Sequence, residues 1–153
     1  MIKISFLPEH IFSLGSFPIT NTFLASLMVT FVLILIAYFA TRKIESVPRP
    51  YSLQNISEIV IDFLFNLING VTHDAKQSKK FFPVVATIFL FVLSANWIGL
   101  IPGVGSIGFT EITEEGKIII PFLRSANTDL NITLTLAIVS VFTIQMFGIA
   151  SLG

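Results

Sequence analysis

The sequence predicts an all-α membrane protein with three transmembrane helices and one amphipathic helix at the membrane interface. Of its 153 residues, 54% are hydrophobic and 12% are charged, whereas about 25% charged residues is usual for a soluble domain. The mean hydropathy is +0.88. Asp, Glu, Lys and Arg are absent from residues 11–41, 81–110 and 130–153. Together these observations exclude an ordinary soluble enzyme and a basic nucleic-acid-binding protein.

Each charge-free stretch is long enough to cross a bilayer, since about 20 apolar residues span about 30 Å of hydrocarbon. The predicted transmembrane helices are 23–41, 82–101 and 130–148. Pro83 is expected in the first turn of the second helix, where proline is tolerated. Pro102 ends that helix, and Asn127, Thr128 or Asp129 can cap the third.

The connecting segments set the predicted orientation. Six basic residues separate the first two spans, namely Arg42, Lys43, Arg49, Lys76, Lys79 and Lys80. Only Lys117 and Arg124 separate the second span from the third. Because basic residues concentrate in cytoplasmic connections, residues 42–80 are predicted to be cytoplasmic and residues 102–129 to form an external loop. The N-terminal segment 1–22 is then external.

The first span is predicted to be retained rather than removed as part of a signal peptide. A signal peptide has basic residues before its apolar core and a small-residue cleavage site after it. Here only Lys3 precedes the span, while Arg42 and Lys43 follow it directly. The basic residues after the span favour a helix anchored with its N-terminus outside.

A fourth, amphipathic helix is predicted at residues 52–69. Its polar residues recur every four positions and are Gln54, Glu58, Asp62 and Asn66. The opposite stripe is apolar and contains Leu53, Ile56, Val60, Phe63, Leu64 and Leu67. Two central carboxylates make a spanning position costly, so we expect a helix lying in the interface, ended by Gly70. The alternative is a cytoplasmic helix packed against other subunits.

No cofactor, metal or catalytic residue is predicted. Cysteine is absent, and His10 and His73 are isolated from other ligand-type side chains. Residues 103–108 match the glycine pattern of dinucleotide-binding loops, but they follow a membrane span and Pro102 instead of a strand. We therefore expect no bound nucleotide and no nucleic-acid partner.

The polar residues in or beside the spans are the candidate functional residues. Asn96 lies within the second span, and Asp129 and Asn131 lie at the entrance to the third. An amide in hydrocarbon needs a protein partner or water. Because the second and third spans are consecutive and antiparallel, these residues can lie at similar depth and line an external aqueous funnel. The alternative is that they form interhelical hydrogen bonds, with Asp129 acting as a helix cap.

Two motifs resemble those of subunit a of the F-type ATP synthase. The first is Asn-Trp-Ile-Gly-Leu-Ile-Pro-Gly at residues 96–103, and the second is Ser-Ala-Asn-Thr-Asp-Leu-Asn-Ile-Thr at residues 125–133. The order of the helices agrees as well. The resemblance covers residues 20–153.

The resemblance implies a static membrane subunit in a bacterial plasma membrane, beside the rotating c-ring and the b subunits of the peripheral stalk. Such a subunit is not catalytic alone but is a component of the proton-transporting complex. In the family, two offset aqueous half-channels let protons reach and leave a carboxylate of the c-ring. Residues matching Asn96, Asp129 and Asn131 lie near the external half-channel. This favours the funnel over simple interhelical bonding.

One departure from the family concerns an essential arginine. Family members continue into two further helices, one of which carries an arginine that separates the two half-channels. Arg42, Arg49 and Arg124 lie outside the predicted spans, so none matches it. The sequence is therefore expected to be a subunit truncated before those helices, with 149–153 as its truncated end. The alternative is a small three-span membrane scaffold or assembly protein without transport activity.

Overall fold

The computed structural model contains four α-helices and two β-hairpins among the residues it describes, which are 10–14, 17–102, 104, 107–113 and 116–152. In chain order the elements are β1 (His10–Leu14), β2 (Phe17–Thr20), α1 (Asn21–Thr41), α2 (Leu53–Thr72), α3 (Ala75–Leu100), β3 (Gly108–Thr113), β4 (Gly116–Pro121), a 3₁₀ turn (Ala126–Thr128) and α4 (Leu130–Leu152). The predicted helical fold class is confirmed.

Three of these helices are long and apolar enough to cross a membrane. They are α1 with 21 residues, α3 with 26 residues and the Leu130–Ala150 part of α4 with 21 residues. At about 1.5 Å rise per residue, 21 residues extend about 31 Å, which matches the hydrocarbon thickness. None of the described side chains of α4 is buried, so this helix exposes its apolar surface to lipid or to other protein. The chain is an integral membrane protein.

The α3 helix begins before the predicted second span. The prediction that Pro83 lies in its first turn is wrong, because α3 starts at Ala75 and Pro83 lies in its interior. The Oδ1 atom of Asp74 accepts hydrogen bonds from the N–H groups of Lys76 and Gln77, at 2.7 and 3.4 Å. This cap starts the helix in a charged stretch that hydropathy alone does not identify as helical.

The α2 helix continues through the residue that was expected to end it. The expectation for Gly70 is wrong, since α2 extends to Thr72. His73 ends it in a left-handed conformation with φ 53°, and its N–H donates to the Asn69 carbonyl at 2.9 Å. At the other end, the Ser52 hydroxyl accepts from the N–H of Asn55 at 3.2 Å. Histidine is among the residues that tolerate this conformation better than most.

Two antiparallel hairpins lie in segments for which no strand was predicted. β1 pairs with β2, and β4 pairs with β3 from Gly108 opposite Pro121 to Thr113 opposite Gly116. β2 leads directly into α1, while β4 leads through residues 122–125 to the 3₁₀ turn. Gly103, Gly105 and Ser106 of the glycine-rich segment lie outside the described residues.

The chain divides into two compact units, one formed by Met1–Val29 with Val92–Gly153 and the other by Thr30–Phe91. In the first unit, the buried apolar side chains are small ones from α1, α3 and the 3₁₀ turn, namely Ala25, Val29, Ala95 and Ala126. In the second unit, Leu64 and Ser78 are buried, and the rings of Phe65 and Phe82 meet edge to face at 5.7 Å. Small side chains let helix backbones approach closely, as is usual in membrane proteins.

Candidate functional site

Asp129 is a buried carboxylate at the start of α4, with 5% of its surface exposed. Its Oδ1 atom accepts from the N–H of Asn131 at 2.9 Å, which caps the helix. Its own N–H donates to the Ala126 carbonyl at 3.2 Å, and its carbonyl accepts from the N–H of Thr133 at 3.1 Å. The residue is therefore held from both sides along the chain.

Thr22 at the start of α1 supplies the second donor to this carboxylate. Its hydroxyl donates to Oδ2 of Asp129 at 2.8 Å, across a separation of 107 residues. Thr22 is 1% exposed. The hydroxyl oxygen of Thr20 lies 3.1 Å from that of Thr22. The starts of the first and last apolar helices are thus joined through a buried polar contact.

Asn21 ties the same region to the second hairpin. Its Nδ2 atom donates to the Pro121 carbonyl at the end of β4, at 3.4 Å. Its Oδ1 atom accepts from the N–H of Thr22 at 2.9 Å. Because Asn21 is completely buried, these bonds satisfy groups that water cannot reach.

The segment before Asp129 docks on the end of α3. The Ser125 hydroxyl donates to the Ala95 carbonyl at 3.0 Å, and Nδ2 of Asn127 donates to the Val92 carbonyl at 2.8 Å. A Cβ atom built at Gly99 would lie only 2.9 Å from Cβ of Ser125. Glycine at 99 therefore permits the close approach that these two bonds require.

One acceptor in this segment has no partner among the described residues. The Oδ1 atom of Asn127 is buried and accepts no hydrogen bond there. A buried amide oxygen in this state usually pairs with an ordered water or an additional donor.

The three predicted site residues differ in their exposure to solvent. Asp129 is buried, whereas Asn96 and Asn131 are exposed. Within the described part of the chain, neither of these two side-chain amides makes a hydrogen bond; Asn131 contacts Asp129 through its backbone. The partner that Asp129 finds is Thr22, which was not predicted as a site residue.

Sequence reasoning missed the contributions of Thr22, Asn127 and Ser125. The polar trio Thr20-Asn21-Thr22 is visible before the first span, but no spacing rule pairs it with a residue 107 positions away. Ser125 and Asn127 lie in the second motif. Their role as docking residues depends on the approach of the 3₁₀ turn to α3, which is a tertiary feature.

No basic side chain among the described residues forms an ion pair with Asp129, and these residues contain no group of three or more acidic or histidine side chains that could hold a metal ion. The carboxylate is instead paired with a hydroxyl and a backbone N–H.

Three apolar helices with a buried acidic site at the ends of α1, α3 and α4 define an integral membrane protein with a polar site near one edge of its spans. The chain belongs to the ATP synthase A chain family, whose sequence model matches residues 23–153. The family resemblance predicted from the two motifs is therefore confirmed.

Several curated relatives are subunits a of bacterial ATP synthases. The chain is 29% identical to ATP synthase subunit a of Moorella thermoacetica over 146 residues, which are 95% of this chain and 56% of that protein. It is 31% identical to the Legionella pneumophila (strain Paris) subunit over 148 residues, or 97% of this chain and 55% of that protein. With subunit a 1 of Pelobacter propionicus the identity is 38% over 96 residues, or 63% of this chain and 38% of that protein. The chain spans about half the length of the first two relatives.

Proposed function

We propose that this chain contributes the external side of the proton path in an F-type ATP synthase. Membership of the ATP synthase A chain family and the names of the relatives support the assignment of this chain to that complex. The observation that carries the proton path is the buried carboxylate of Asp129, held by two neutral donors at 2.8 and 2.9 Å. A carboxyl group in such a site can bind a proton from water and release it again.

Asn131 and Asn96 are proposed to line the aqueous approach to Asp129. Asn131 follows Asp129 by two residues and keeps its side-chain amide exposed. The amide of Asn96 is also exposed, one residue beyond the carbonyl that binds Ser125. Exposed amides at the end of a span favour water over lipid. The funnel proposed from the sequence thus has Asp129 as its inner end.

The proposed orientation places this site on the external face. Six basic residues lie between α1 and the apolar part of α3, which favours a cytoplasmic connection and an external N-terminus in a bacterial plasma membrane. The exposed apolar side chains of α2, among them Ile59 and Phe63, suit a helix in the cytoplasmic interface. The proposed partners are the c-ring and the b subunits.

The proposal is tested in membrane vesicles that contain an assembled ATP synthase whose full-length subunit a includes this sequence. Asp129→Asn keeps the size of the side chain but cannot exchange a proton, so we expect proton-driven ATP synthesis to fall at least about tenfold. Asn131→Leu removes the amide from the approach and should slow synthesis severalfold. Asn66→Leu, in the exposed polar face of α2, is the matched control.

The amount of assembled complex is measured for each variant, and rates are expressed per complex. Wild-type rates for Asp129→Asn would contradict a proton-binding role at this position. Unchanged synthesis with Asn131→Leu would exclude Asn131 from the inlet.

A further inference from the structure

Three oxygen atoms form a short line from the start of α1 to the start of α4. The hydroxyl oxygen of Thr20 lies 3.1 Å from that of Thr22, which lies 2.8 Å from Oδ2 of Asp129. Thr22 and Asp129 are both buried. Because the single Thr22 O–H donates to Oδ2, the Thr20 O–H is the donor to the Thr22 oxygen in this arrangement.

A threonine hydroxyl is both a donor and an acceptor, and this property suits a carboxyl group that changes its protonation state. When Asp129 is ionised, the Thr22 O–H donates to Oδ2. When a proton from the aqueous side binds Oδ2, the new carboxyl O–H can donate to the Thr22 oxygen. The Thr22 O–H can then turn to the Thr20 oxygen, whose own O–H turns away from Thr22. The N–H of Asn131 remains bonded to Oδ1 in both states. No heavy atom needs to move.

We propose that Thr22 is a positioning residue of the proton inlet, which keeps Asp129 hydrogen-bonded in both protonation states. This inference rests on the function proposed for Asp129. Among the described residues, no Lys, Arg, His, Asp or Glu forms a hydrogen bond or ion pair with the Asp129 carboxylate, whose partners are the Thr22 hydroxyl from α1 and the Asn131 N–H of α4. A nearby cation would favour only the ionised form. The Thr22 hydroxyl can form a hydrogen bond with both the ionised and the protonated form of Asp129.

The test compares substitutions of Thr22 in vesicles containing the assembled complex. Thr22→Val keeps the branched shape and removes the hydroxyl, so we expect proton-driven ATP synthesis to fall about tenfold. Thr22→Ser restores the hydroxyl and should stay within about twofold of wild type. Thr41→Val is the matched control, because the Thr41 hydroxyl at the other end of α1 bonds the Ala37 carbonyl of its own helix at 2.8 Å.

The outcomes separate this inference from the proposed function. A slow Asp129→Asn variant with a wild-type Thr22→Val variant would overturn the role of Thr22 and leave Asp129 in the inlet. Equal losses for Thr22→Ser and Thr22→Val would also overturn it, because the hydroxyl would then be irrelevant. A wild-type rate for Asp129→Asn would contradict the proposed function itself.

An infrared measurement tests the same inference through a spectroscopic signature of Asp129. The difference spectrum of the wild-type complex between acid and alkaline pH contains the C=O stretch of each carboxyl that binds a proton. The Asp129 band is the one that Asp129→Asn removes. Because Oδ1 stays bonded to the Asn131 N–H, the effect of Thr22 is read from its variants: we expect Thr22→Val to shift this band and Thr22→Ser to leave it in place. An unchanged band in Thr22→Val, or no Asp129 band, would overturn the inference.

Discussion

Replacing Gly99 with alanine tests how the segment that carries Asp129 is held against α3. The added Cβ would lie 2.9 Å from Cβ of Ser125, whereas carbon atoms pack at about 3.5–4.0 Å. Ser125 would have to retreat by about 0.6–1 Å. That retreat weakens the 3.0 Å hydrogen bond from Ser125 to the Ala95 carbonyl.

The size of the effect follows from three contributions. Overpacking costs about 1–3 kcal/mol, and the weakened hydrogen bond costs about 1 kcal/mol. The higher helix propensity of alanine offsets about 1 kcal/mol. The net destabilisation of the docked segment is about 2 kcal/mol, or about 30-fold in its local opening equilibrium.

Hydrogen exchange measures this opening directly. In the Gly99→Ala variant, we expect the N–H groups of Thr128 and Asp129, which bond the carbonyls of Ser125 and Ala126, to exchange about 30-fold faster. Gly70→Ala is the control, because no atom lies within 4 Å of a Cβ built at Gly70. It should leave these amides unchanged and slightly stabilise α2. Unchanged protection in Gly99→Ala would refute the close-approach argument.

Two further predictions concern the connection between α2 and α3. The buried Ser78 hydroxyl oxygen lies 2.6 Å from that of Thr72 and 3.0 Å from Oδ1 of Asn69. Ser78→Ala should therefore destabilise the connection by about 1–3 kcal/mol, which is measured as faster hydrogen exchange of the His73 amide. Unchanged exchange at His73 would contradict this prediction. His73→Gly should stabilise the left-handed position by up to about 1 kcal/mol and His73→Val should destabilise it. The thermal midpoints of the two variants should therefore move in opposite directions, and a shift in the same direction would refute the backbone argument.

The spans could be predicted because lipid imposes a simple requirement on the sequence. Residues 130–148 contain no charge, and α4 covers them completely. The start of α3 could not be predicted from hydropathy, because its first turns carry Lys76, Lys79 and Lys80. Those turns are helical because Asp74 caps them and Ser78 packs against the end of α2, and neither contact leaves a periodic apolar pattern.

The candidate site was predictable only in part for a similar reason. Asp129 and Asn131 are recognisable from the motif and from their position before an apolar run. The pairing of Asp129 with Thr22 depends on how α1 meets the start of α4, which is a matter of tertiary packing in the unit where the small residues Ala25 and Ala126 are buried. Such packing is set by shape, and no local sequence pattern reports it.

The central claim is that water reaches the Asp129 region from the external side. The chain contains no cysteine, so a cysteine introduced as Asn131→Cys is its only thiol, and only a hydrated thiolate reacts rapidly with a charged thiol reagent. Asn66→Cys on α2 serves as the cytoplasmic control. In sealed vesicles of known orientation, we expect a membrane-impermeant reagent to label the Asn131→Cys variant only from the external side. Labelling only from the cytoplasmic side, or no labelling from either side, would contradict the account.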